Sequence, residues 1–188
     1  MDKMPFQERA FLTVFKRFFG FNYDAGSKTT TDLHVQSQKM CYILKAKGIE
    51  IGEFDYSWNF HGPYSAGLQH QLKILDGKKD RVCAYYELTE SSTDLFSDDA
   101  IPNSVFSIAD GDLIDSVSKE LDIAGHKNDS RDWIELLASI MFISRSVFPG
   151  ESRKVIENKL LELKPRYKEY APFLNAWNTL ETAGLLVT

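Results

Sequence analysis

The chain of 188 residues has no long hydrophobic run. Its longest apolar cluster, Trp133 to Val147, is broken by Glu135, Ser139, Ser144 and Arg145, whereas a membrane-spanning helix needs about 20 consecutive apolar residues. The N-terminus, Met1-Asp2-Lys3-Met4-Pro5-Phe6, alternates charge with Phe and lacks the apolar stretch and small-residue cleavage site of a secretory leader. A cytoplasmic location with no membrane association is the expectation. Cysteine is scarce: there are only Cys41 and Cys83. Cys41 falls on an apolar helical face and Cys83 in an expected strand, so two buried thiols are anticipated rather than a disulfide or a metal motif. Of the four histidines, His61 and His70 match no common zinc spacing, and His34 and His126 are distant in sequence. The eleven glycines are scattered and form no phosphate loop. Ser65 lacks a Gly-x-Ser-x-Gly setting, and Asp94, Asp98, Asp99, Asp110, Asp112 and Asp115 lack EF-hand spacing. No metal and no cofactor is expected.

Aromatic content is high by contrast, with 13 Phe, 8 Tyr and 3 Trp, which supplies large side chains for one core and argues against disorder. The net charge of −5 is unevenly spread. Residues 77–130 carry five Lys/Arg and twelve Asp/Glu, while both flanks are close to neutral. An acidic centre disfavours extended wrapping by nucleic acid, which needs many cations opposite phosphates.

Apolar spacing predicts helices over Pro5–Phe19, from about Thr30 to Lys47, from Pro63 or Tyr64 to Gly77, and over Asp110–Leu121, Arg131–Val147, Glu151–Leu163 and Pro172–Gly184. Phe54 to Phe60 alternates aromatic with polar residues and reads as a half-buried strand. Arg81 to Leu88 alternates Val82, Ala84, Tyr86 and Leu88 and reads as a second. A turn is expected at Thr89–Thr93, an acidic loop to Ala100, and a short element from Val105 to Ile108. The fold class expected is mainly α (α+β). Residues 1–188 form one domain, in which a winged-helix-like half with a small antiparallel sheet (1–93) is packed by a C-terminal helical bundle (131–188).

Between the aromatic strand and its following helix lies His61-Gly62-Pro63-Tyr64-Ser65. Gly62 and Pro63 suit a tight turn, and Ser65 can cap the helix. The turn can also aim His61 and Tyr64 into one cleft, where His suits a general base and Tyr a proton donor. The structural role is the reading preferred. On the second helix, Gln36, Gln38, Lys39, Lys45 and Lys47 read as a solvated polar face, with DNA phosphates as the alternative contact. Tyr56, Trp58 and Phe60 read as core rather than binding surface.

Gln38-Lys39-Met40-Cys41-Tyr42-Ile43-Leu44, Trp58-Asn59-Phe60-His61-Gly62-Pro63-Tyr64-Ser65 and Tyr86-Glu87-Leu88-Thr89-Glu90 resemble successive landmarks of YwgA-like proteins. Trp133-Ile134-Glu135-Leu136-Leu137-Ala138-Ser139 and Leu163-Lys164-Pro165 do so as well. A more distant similarity is to the SocA-type (Panacea) antitoxin-domain group, in which a "QK" helix is followed by a GPYS-like or GPV-like turn. The YwgA-like resemblance implies no particular activity. The antitoxin group implies binding and neutralising a protein partner, sometimes as an adaptor. The expected function is therefore a non-catalytic protein-interaction or regulatory component, antitoxin-like or defence-associated. The alternatives are a winged-helix DNA-binding regulator and an enzyme with a cleft near His61 and Tyr64. The binding candidates are Gln38, Lys39, His61, Gly62, Pro63, Tyr64 and Ser65.

Overall fold

A computed structural model describes residues 4–90, 108–168 and 172–187. Helix α1 (Phe6–Phe19) buries Ala10, Phe11, Val14, Phe15 and Phe18, the residues its apolar spacing places on one face. It stops at Gly20, whose φ of +76° is a left-handed conformation that costs glycine nothing. α1 lies along α5 (Ile108–Glu120). The Ser118 hydroxyl donates to Phe18 O (2.6 Å), and Arg17 Nε donates to Asp115 Oδ1 (2.6 Å).

Two helices form the middle of the molecule. α6 (Ser130–Phe142) is buried at every position from Trp133 to Phe142, and α2 (Thr30–Ala46) is buried from Val35 through Cys41 and again at Ile43 and Leu44. They pack against each other, with α8 (Phe173–Thr182) on the far side of α6. Helices buried all round belong at a core centre, and their polar residues must find partners there. α6 continues into a π-helical turn, Ile143–Val147, and α7 (Arg153–Leu163) returns along it.

The sheet is a single antiparallel hairpin between α2 and α3 (Ala66–Asp76) among the described residues. Its strands are β1 (Ser57–Asn59) and β2 (Gly62–Tyr64), with Ser57 opposite Tyr64, Trp58 opposite Pro63 and Asn59 opposite Gly62. The mainly α fold with a small antiparallel sheet is thus as expected, but its strands are not. The expected strand over Phe54–Phe60 shortens to three residues, and its partner is the turn sequence itself. The expected strand over Arg81–Leu88 is instead helix α4 (Lys79–Glu90), which also takes up Thr89 and Glu90 of the expected turn. Val82 and Tyr86, one helical turn apart, are buried, while Leu88 is 70% exposed. Two tyrosines pin α4 to α1: Tyr86 donates to Leu12 O (3.2 Å) and accepts from Tyr23 N (3.0 Å), and Tyr85 donates to Arg9 O (3.3 Å). Cys83 consequently faces outward on a helix, so only Cys41 is a buried thiol. Ser91–Thr93, the acidic loop to Ala100 and the start of the short element at Val105 lie outside the described residues. No described helix is long and apolar enough to cross a membrane.

Candidate functional site

The turn motif is β2 and its approach, and three helical segments hold it. The Gln38 side chain of α2 pairs with the backbone of Ser65 as a neighbouring strand would: Nε2 donates to Ser65 O (2.9 Å), and Oε1 accepts from Ser65 N (2.8 Å). The next residue, Lys39, donates from Nζ to Pro63 O (2.7 Å). Adjacent residues of one helix therefore satisfy polar backbone groups that a two-stranded sheet leaves open. Ser65 then caps α3, its hydroxyl accepting from Leu68 N (3.4 Å).

Gly62 is required twice over. Its φ is +87°, and a Cβ there would stand 2.5 Å from Ser139 Oγ of α6. β2 is thereby pressed against α6 at the one residue with no side chain. Pro63 costs the hairpin little, because the carbonyl, not an N–H, is the group bonded to Lys39.

α6 also supplies Glu135, whose side chain is 1% exposed. Its Oε1 accepts from Lys164 Nζ (2.5 Å) and Arg166 Nη2 (2.7 Å), and its Oε2 lies 3.1 Å from His61 Nδ1. Lys164 follows α7, and Arg166 belongs to the short 3-10 turn Pro165–Lys168. Burial pushes the Glu135 carboxyl up, but Lys164, Arg166 and His61 together outweigh it and hold it below the usual carboxylate range. Because an ionised carboxylate only accepts, His61 donates from Nδ1 and keeps Nε2 as its other polar atom. Burial pulls the His61 ring below its ordinary value, and Glu135 offsets that only in part.

His61 and Tyr64 do converge. Together with Gln38 and Lys39 they line a cleft of about 370 Å3 between α2, the hairpin and α3. His34 lies in the same wall. Its Nε2 is 2.7 Å from Asp76 Oδ2, and its Nδ1 is 2.8 Å from Gln69 Nε2, so both ring nitrogens are engaged. Glu135, Lys164, Arg166, Ser139 and His34 were not among the sequence candidates. The usable signal was Glu135, an acid within an apolar helix, since a carboxylate buried there must be paired.

Of the polar face expected on α2, only Lys45 and Lys47 are partly solvated. Gln36, Gln38 and Lys39 are buried, and Gln36 donates to Ser130 Oγ (2.7 Å). Lys45 donates to Phe54 O (3.0 Å), and Lys47 donates to Ala183 O. Each of the three lysines thus donates to a backbone carbonyl of the fold, and Lys39 is not on an exposed face. Conversely, Phe60, expected in the core, stands 78% exposed at the hairpin tip, while Tyr56 and Trp58 are half-buried. Trp58 packs on Phe142, and the Lys164 ammonium sits 5.7 Å from its ring centre.

The cleft has a base-like His61 backed by Glu135, but neither Ser65 nor Cys41 serves it as a nucleophile. The Ser65 hydroxyl is buried under the start of α3, and Cys41 is fully buried, with its thiol pushed well up by that burial. Among the described residues no group of three His, Cys, Asp or Glu could hold a metal ion.

Burial pulls Lys39 down to about 7, with Glu135 opposing that fall and Lys164 and Arg131 adding to it. Its pKa is therefore lower folded than unfolded, and between about 7 and the ordinary lysine value near 10.4 the unfolded chain binds more protons. Stability gains from this group as pH rises through that window. Wild type should gain about 2–4 kcal/mol relative to Lys39→Met between pH 7 and pH 10. Urea unfolding at both pH values measures it, and parallel pH curves would contradict the assignment.

Comparison with family models, curated proteins and solved structures finds no significant match to the chain.

Proposed function

We propose that the protein is a non-catalytic, antitoxin-like interaction component of the cytoplasm that offers the hairpin at residues 57–64 to a protein partner. The observation that carries this reading is Phe60, 78% exposed at the tip of a hairpin whose turn and second strand are bonded to α6 and α2. Exposed apolar residues are ordinary one at a time. An aromatic on a bonded turn is different, because less loop entropy remains to be lost on docking, and aromatics are enriched among residues that dominate interface energy.

The resemblance to YwgA-like and SocA-type proteins adds support. Four of its segments, Gln38-Lys39, His61–Ser65, Trp133–Ser139 and Leu163–Pro165, meet at this hairpin through the bonds of Gln38, Lys39, Glu135 and Lys164. The excess of acid over residues 77–130 favours a partner with a basic face. The test is affinity capture from the cell of origin with wild type and Phe60→Glu. The expected result is a basic protein held by wild type and lost at least about 10-fold in the variant, a change of about 1.4 kcal/mol or more, at unchanged Tm. Retention of the same partner by Phe60→Glu, or turnover of a small substrate with no partner recovered, would overturn the reading.

A further inference from the structure

We propose that the cleft between α2, the hairpin and α3 is a binding site for a small phosphate-bearing ligand. The proposal does not depend on a protein partner. Its starting point is Lys39. The residue is 1% exposed, and its ammonium makes one hydrogen bond among the described residues, to the neutral carbonyl of Pro63. A buried cation without a directly bonded anion is a standing cost to the fold. Glu135, the acid that acts on it electrostatically, gives its hydrogen-bonding capacity to Lys164, Arg166 and His61. Two of the three ammonium hydrogens of Lys39 are left for something else.

Lys39 lines the cleft, and the cleft has the composition an anion requires. Lys73 of α3, which is exposed, lines it together with His61, Thr31 and Asn59, and among the described residues no carboxylate lines it. Asp76 and Glu135 stand behind the lining and are engaged there, Asp76 by His34 and Tyr23 Oη (2.9 Å) and Glu135 by His61, Lys164 and Arg166. Cationic and neutral donors in one lining suit the tetrahedral oxygens of a phosphate, for which lysine acts as a point charge. The volume of about 370 Å3 falls within the range of small-molecule sites. Tyr64 and Val35 in the same walls offer an apolar surface for the remainder of the ligand. A dianion seated there would keep Lys39 protonated and remove the cost of burying it alone.

Titration calorimetry of the whole chain at low ionic strength tests this, with inorganic phosphate and AMP as probes and adenosine as the uncharged control. Lys73→Glu reverses a charge of the cleft lining at an exposed position. Lys154→Glu makes the same charge change on α7 and serves as the reference. The expected result is AMP binding with a Kd of order 1 mM or tighter, with adenosine at least about 10-fold weaker, Lys73→Glu weakening AMP at least about 10-fold, and Lys154→Glu leaving it within about 2-fold. Absence of binding by both phosphate probes at about 10 mM overturns the proposal. So does an equal loss in the two charge variants, which marks diffuse surface attraction. Loss of partner capture in Phe60→Glu is a separate result and leaves this one standing.

Discussion

Replacing Glu135 with Gln is expected to destabilise the protein by about 3–5 kcal/mol. The substitution keeps the shape of the side chain but leaves Lys164, whose side chain is 3% exposed, as a buried cation without its carboxylate. It also leaves a single neutral carbonyl oxygen where two charged ones served Lys164, Arg166 and His61. Most of the loss is the penalty of the stranded charge rather than the intrinsic worth of the pair, and that distinction can be measured. Glu135→Gln combined with Lys164→Met should recover at least about half of the lost stability, because an apolar side chain of similar length fits a site that needs no ion. Urea midpoints of the two single variants and the double variant give the coupling. The wild-type ionic contribution has a defined pH dependence. The Glu135 carboxyl is held lower when folded than unfolded, so its stabilisation is fully present above the unfolded value near 4.3 and is lost as pH falls through the lower folded value. Equal stability of wild type and Glu135→Gln at pH 7 would contradict the assignment of a buried ion cluster.

Gly62→Ala is expected to cost about 2–4 kcal/mol, from two sources that a second substitution separates. The first is the φ of +87°, which an L side chain adopts with strain, and the second is the approach to Ser139 Oγ at 2.5 Å. The Ser139 hydroxyl is buried without a hydrogen-bond partner among the described residues, so Ser139→Ala removes an oxygen whose loss leaves no other group unsatisfied. In the Ser139→Ala background the steric share of the Gly62→Ala penalty should vanish and the backbone share should remain. The expected outcome is that the penalty falls by about 1–2 kcal/mol without reaching zero. A penalty unchanged by Ser139→Ala would mean that β2 does not rest on α6 at this residue.

The helices that were legible in the sequence are those whose apolar residues recur at three and four. α1, α2, α7 and α8 fall within a few residues of their expected bounds, and α6 ends in the π-helical turn within its expected span. α4 was not legible, because Val82, Ala84, Tyr86 and Leu88 also satisfy a period of two. What decides between the periods is the pairing of Tyr85 and Tyr86 with carbonyls of α1, a tertiary fact that no local pattern carries. The hairpin was half legible. Alternation does put Phe54, Tyr56 and Trp58 inward, but Phe60 breaks it because the chain turns there to form a strand from Gly62 to Tyr64.

The candidate site shows the same division. Gln38, Lys39 and the His61–Ser65 turn stood out as short motifs, and the structure brings them into direct contact. Their separation of some two dozen residues concealed the reason: one side chain reads a backbone amide and carbonyl, the next a carbonyl two residues earlier. Glu135, Lys164 and Arg166 were less visible still. Pairing across a core depends on which helices meet, and neither charge spacing nor periodicity encodes that.

Gln38 and Lys39 of α2 clamp the hairpin at Ser65 and Pro63. The amide of Ser65 reports on this clamp directly, since its one hydrogen bond among the described residues is to Gln38 Oε1 at 2.8 Å. Native-state hydrogen exchange of this amide should be compared in wild type and Gln38→Leu, with amides in the middle of α6 as the internal reference for global opening. The expected result is strong protection of Ser65 in wild type and a loss of at least about 100-fold in Gln38→Leu beyond any change at α6, equivalent to about 2.7 kcal/mol of local opening energy. Protection of Ser65 that is the same in both proteins, relative to α6, would contradict it.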